Sequence, residues 1–112
     1  MQDTMAEIRI YADSQDRAPF VHWLDGLKDL HARAIVRARL EKVRAGNFGD
    51  CKPLRDGVQE LRIDFGPGYR VYLSRQGPIV VLLLCGSIKA DQERAIKRAL
   101  DYLNDWKQRG KP

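Results

Sequence analysis

The chain is poor in the residues that would announce its chemistry. Its 112 residues hold two cysteines, Cys51 and Cys85, and two histidines, His22 and His31. No CxxC or His-x-x-x-His spacing accompanies them, so neither a zinc site nor a disulfide framework is expected. The longest apolar run, Ile79 to Cys85, is far too short to span a bilayer. Met1-Gln-Asp-Thr-Met5 has no basic start and no apolar segment behind it, which argues against a signal peptide and for a cytoplasmic protein. A carboxylate pair suited to two-metal chemistry, a glycine-rich phosphate loop and a Ser-His-Asp set are all missing. Repeats, low-complexity tracts and linkers are missing too.

What is present is a globular composition with a cationic bias. Hydrophobic residues make up 44% and charged residues 31%, which suits a folded chain and not a disordered one. The length suits a single domain over residues 1–112. Net charge is +5, which points to nucleic acid, the ribosome or an acidic protein as partner. The blander alternative is a small basic protein with no such partner. The bias grows along the chain. Residues 1–28 carry five acids and three bases, whereas residues 76–112 carry seven bases and four acids.

Periodicity gives the elements. Glu7 to Tyr11 alternates, with Ile8 and Ile10 on one face, and predicts a strand. Pro19 suits a first helical turn, and Phe20, Val21, Trp23, Leu24 and Leu27 make an apolar face. A second helix is expected from about Asp29 to Ala45, ended by Gly46-Asn47, so the two helices form a hairpin. Residues 47–56 are expected to be a loop with a short extended piece around Pro53-Leu-Arg55. Val58 to Phe65 and Tyr69 to Ser74 alternate as strands around Gly66-Pro-Gly68. Ile79 to Cys85 has no polar alternation and predicts a strand covered on both faces. A last helix runs from about Asp91 to Lys107, and residues 110–112 are expected to fray. The expected fold is α+β in the order β-α-α-β-β-β-α. A small antiparallel sheet carries the N-terminal helical hairpin on one face, with a C-terminal helix.

The candidate site follows from that layout. Arg62 and Arg70 fall on neighbouring strands and point away from the Leu61/Ile63 and Val71/Leu73 face. Tyr72 lies on the same side, and Lys89 follows the third strand beside Gln92 at a helix entrance. Guanidinium forks can grip phosphate oxygens and an aromatic ring can stack a base. The alternative is that the strand arginines pair with Glu60 or Asp64 and contribute little. Trp23, Tyr102 and Trp106 are expected in the core, and His22 and His31 at the surface or in helix packing.

These residues carry a resemblance. Gly57-Val-x-Glu-Leu-Arg62-Ile, Gly68-Tyr-Arg70-Val-Tyr72, an aliphatic strand, and Gly86-x-x-Lys89-x-x-Gln92 with Ile96 and Ala99 downstream resemble the RelE/ParE toxin superfamily. The similar branch is the phage-type addiction module killer, or HigB-like, group, and the resemblance covers nearly the whole chain. It implies a toxin of a type II toxin–antitoxin system, held by a cognate antitoxin that is often a helix-turn-helix repressor. RelE- and HigB-like members cleave mRNA on the ribosome without metal, and ParE-like members inhibit DNA gyrase. The resemblance implies that Arg70 stabilises phosphate and that Arg62 and Lys89 are basic positions, with Tyr72 and Gln92 as motif members of unassigned role. The expected catalytic residues are Arg62, Arg70 and Lys89, and the expected RNA-binding residues are Tyr72, Gln92 and Arg94. Cofactor and metal are not expected. Departures stand at Ile88, Ala90 and Ala95, and a helix-start tyrosine or histidine of some relatives has no counterpart.

The expected function is therefore a ribosome-dependent mRNA endonuclease that stops translation. Without metal, the ribose 2′-OH is the nucleophile and basic side chains stabilise charge developing on the phosphate. Lysine and arginine are poor proton carriers at neutral pH. The alternatives are a non-enzymatic gyrase inhibitor and a basic module retained for antitoxin binding and operon regulation.

Overall fold

The computed structural model describes residues 5–110, and the expectations for residues 1–4 and 111–112 lie outside that range. Local chemistry sets the helix starts. Pro19 opens α1 (Pro19–Asp25), where its missing N–H costs nothing. The Asp29 carboxylate caps α2 (Leu30–Arg44) by accepting from the His31 and Ala32 N–H groups. The chain begins with β1 (Glu7–Ile10) and continues after α2 with β2 (Cys51–Arg55), β3 (Val58–Ile63), β4 (Tyr69–Gln76) and β5 (Val80–Ile88). A 3-10 turn over Lys89–Asp91 then leads into α3 (Gln92–Gln108).

The five strands form one sheet in the order β1-β5-β4-β3-β2. The α+β arrangement expected from the sequence is what the structure has, but the sheet differs from expectation in two ways. It is mixed, because β1 runs parallel to β5. Tight turns reverse the chain from β2 through β5, whereas β1 is joined to the rest through two helices, and a helical crossover imposes no reversal. The sheet also has an extra edge strand, β2, where a loop with a short extended piece was expected. Pro53 and the exposed Lys52 and Arg55 give β2 no apolar alternation, which an edge strand does not need.

Helices cover both faces. The hairpin α1–α2 packs Phe20, Leu24, Val36 and Val43 on Leu61, Val71, Val81 and Leu83. On the other face, α3 packs Ala95, Ala99, Leu103 and Trp106 on Val58, Tyr72, Leu82 and Leu84. Alternate residues of β5 thus enter two separate cores, as its unbroken apolar run requires. None of the helices among the described residues is long and apolar enough to cross a membrane.

One irregularity positions the site. The β4–β5 register slips between Tyr72 and Leu73, so Tyr72 faces Cys85 while Leu73 faces Leu83. A bulge of this kind flips the side-chain parity beyond it. Leu84 and Cys85 both join the α3 core, and Ser87 lands beside Tyr72 on the α3 face. Gly86 turns instead to the hairpin face, where a Cβ would overlap the Trp23 ring.

Candidate polyanion-binding site

Arg62 and Arg70 stand directly opposite each other on β3 and β4, on the face that carries α3 further along. Like charges so placed repel, and a carboxylate must relieve them. Asp50, in the α2–β2 loop, does so. Its Oδ1 accepts from Arg62 Nε at 3.1 Å and Arg62 NH2 at 2.9 Å. The Arg62 hydrogen bonds, then the charges of Arg62, Arg39 and Arg70, hold the Asp50 carboxyl below the usual carboxylate range. The same bond to Asp50 raises Arg62. The partner of Arg62 is therefore Asp50, and not the Glu60 or Asp64 weighed from sequence.

Arg70 is free by contrast. It makes no ion pair among the described residues, and its Nε is enclosed without a hydrogen-bond partner. Across β5 it faces Ser87. Lys89 is exposed and also lacks an ion pair among the described residues. Its backbone N–H donates to the Gly68 carbonyl at 2.7 Å, tying the entrance of α3 to the β3–β4 turn. Gly68 has φ +80° and lies against the Lys89 side chain, so the turn needs glycine on both counts. Arg62, Arg70 and Lys89 are thereby brought to one end of the sheet.

Tyr72 and Gln92 are not available as expected. The Tyr72 ring is fully buried beneath α3 and cannot stack a base. The sequence reading put it on the right face but could not see that α3 covers that face from Gln92 onward. Its hydroxyl meets Ser87 Oγ at 3.3 Å, and burial pushes it up to about 12. Gln92 is tied inward, its Nε2 donating to Oε2 of the fully buried Glu60 at 2.7 Å. Glu60 Oε1 is enclosed with no hydrogen-bond partner. Arg94 is exposed but bonds Asp91 at 2.6 Å and lines a different cleft, with Trp23 and Arg98. His22 and His31 belong to the hairpin, where His31 packs edge-on against Phe65.

Two residues of the site escaped the sequence reading. Arg39 donates to the carbonyls of Arg62, Phe48 and Asp50 at 2.6, 3.0 and 3.0 Å. It therefore fixes both the strand that carries Arg62 and the loop that carries Asp50. The signal was its place four residues after Ile35 on the packed side of α2, where a cation must find backbone acceptors. Asp50 carried no signal, since its register against Arg62 depends on the unforeseen strand β2. Among the described residues, no group of three or more His, Cys, Asp or Glu could hold a metal ion.

No protein-family model matches the chain. An uncharacterized protein of Haemophilus influenzae is 51% identical to it over 80 residues, covering 71% of this chain and 81% of that protein. The two chains belong to one family. The likeness carries kinship and not chemistry, so what the family's site can do rests on geometry. One anchored and one unpaired guanidinium with a nearby ammonium can grip a dianionic or polyanionic oxygen cluster.

Proposed function

We propose that the protein is the toxin of a type II toxin–antitoxin system with a RelE/ParE-like fold. In this reading it is a ribosome-dependent, metal-independent mRNA endonuclease restrained by a cognate antitoxin, a small helix-turn-helix protein. The observation that carries the reading is the cationic end of the sheet. Arg62 is fixed by Asp50, Arg70 beside it has no internal partner, and Lys89 is exposed at the α3 entrance. The motif order that resembles the superfamily supports it from the sequence side.

In the reaction, O2′ of one ribose attacks the adjacent phosphorus and the bond from phosphorus to O5′ breaks. Arg70 is the residue to neutralise the charge that develops on the non-bridging oxygens, with Arg62 and Lys89 holding the backbone on either side. Tyr72, buried and with its hydroxyl pushed up to about 12, keeps its proton and takes no part. Both histidines lie on the hairpin side. The step leaves a 2′,3′-cyclic phosphate, and the 2′ proton must leave to, and the departing O5′ take a proton from, solvent or a group of the ribosome.

That same lack of a titrating group favours one second reading, a ParE-like inhibitor of DNA gyrase that uses the patch for binding alone. Primer extension on cellular mRNA after induction separates the two. Cuts phased with codons support the endonuclease. Intact mRNA with accumulating double-strand DNA breaks supports gyrase inhibition.

A further inference from the structure

Two side-chain atoms among the described residues are enclosed with no hydrogen-bond partner, Glu60 Oε1 and Arg70 Nε. One is an acceptor and the other a donor. The strand register brings them together. Glu60 stands opposite Tyr72 and Arg62 opposite Arg70, with no slip between these pairs, so all four share the α3 face. Glu60 and Arg70 are therefore diagonal neighbours, a spacing that long side chains can span.

The other groups around the fully buried Glu60 are already committed. Gln92 Nε2 donates to its Oε2 at 2.7 Å. Arg62 bonds Asp50, and the Tyr72 hydroxyl meets Ser87 Oγ. Lys52, opposite Glu60 on β2, is exposed. A buried carboxylate needs its second oxygen satisfied, and the enclosed donor left over is Arg70 Nε. The two atoms make no direct bond, and one water can join enclosed polar groups across such a gap. Arg70 is only half-buried, and of its three guanidinium nitrogens Nε alone is enclosed without a partner. Its two amino groups are thus left facing solvent.

We propose that Glu60 is a positioning residue for Arg70, joined to its Nε through one shared water and anchored from behind by Gln92. The outward amino groups of Arg70 are then presented to a phosphate as a preset fork. Orientation fixed before binding spares the complex the entropy of ordering a long side chain. Gln92 takes part through Glu60 and touches no RNA. For its ligand this inference rests on the phosphate reading, whereas the link between the two side chains does not.

The test reads the link and the ligand separately, on the full chain. In isotope-labelled protein the Arg70 Nε–H signal is assigned by its loss in Arg70→Ala. Its proton is expected to exchange with water about fivefold faster or more after Glu60→Gln. An unchanged rate overturns the proposal. Binding of a short single-stranded oligodeoxynucleotide, which lacks the 2′-OH and is not cut, is expected to weaken about fivefold with Glu60→Gln. In the Arg70→Ala background the same substitution is expected to weaken it no further. Removing a negative charge would by its field alone tighten binding of a polyanion. Tighter binding, or an equal loss in both backgrounds, therefore overturns the proposal. No binding by the unsubstituted chain sinks the phosphate reading, and the exchange rates still decide the link. If Glu60→Gln fails to fold, Gln92→Ala takes its place, since it releases the carboxylate from the helix side. Faster Arg70 exchange is expected there too, and an unchanged rate overturns the proposal.

Discussion

At the scale of single residues, the structure separates the cations that can act from those that hold the fold. Arg39 spends its guanidinium on three backbone carbonyls, and Arg62 spends part of its own on Asp50. Arg70 keeps its guanidinium free of internal partners. Tyr72 falls on the structural side of this division, since its ring is core and its hydroxyl bond to Ser87 is long. Tyr72→Phe is expected to leave growth arrest intact and to cost about 1 kcal/mol or less of stability in denaturant unfolding. Tyr72→Ala is expected to cost about 3–5 kcal/mol through the cavity it leaves. Loss of arrest in a stably folded Tyr72→Phe protein would return the tyrosine to the site.

At the scale of elements, the bulge in β5 and the contact of β5 with α1 organise the site. Gly86 lets α1 sit close enough for Trp23 to cover the strand. Gly86→Ala forces Trp23 or the strand to move, and is expected to lower stability by about 1–3 kcal/mol, read as a lowered denaturation midpoint. The motif glycine is therefore a packing residue. Much of this level was legible in the sequence. The apolar stripes of α2 and α3 and the alternation of β3 and β4 gave those elements and their inward faces. The unbroken run of β5 gave its burial on both sides. Three things were not legible. β2 is an exposed edge without alternation. The direction of β1 is set by a helical crossover and not by a turn. The bulge moves Ser87 to the α3 face by a register slip that no single strand encodes. For the same reason Arg62, Arg70 and Lys89 could be grouped from sequence, whereas the burial of Tyr72 and the inward bond of Gln92 could not, because both depend on where α3 lands.

At the scale of the whole molecule, burial sets the pH range of stability, and charge carries the proposed function. Burial raises Tyr11 and Tyr72 from 10.0 to about 12 and Cys85 from 9.0 to about 12. A raised acid stays neutral in the folded chain while the unfolded chain ionises, so its stabilisation is full below the unfolded value and is lost on passing to the folded one. Stability is expected to hold to about pH 9 and to fall between about pH 9 and 12, measured as denaturant midpoints across that range. A flat profile would contradict the burial of these groups. The proposed function rests on the excess of positive charge at one end of the sheet. Its centre is Arg70, whose replacement removes no internal hydrogen bond and is expected to cost about 0.5 kcal/mol or less. The most direct test of the account is growth after induction of the unsubstituted protein and of Arg70→Ala, with folding of both checked by thermal unfolding. The account predicts arrest by the first and unimpeded growth with the folded variant, and arrest of equal strength by both would contradict it.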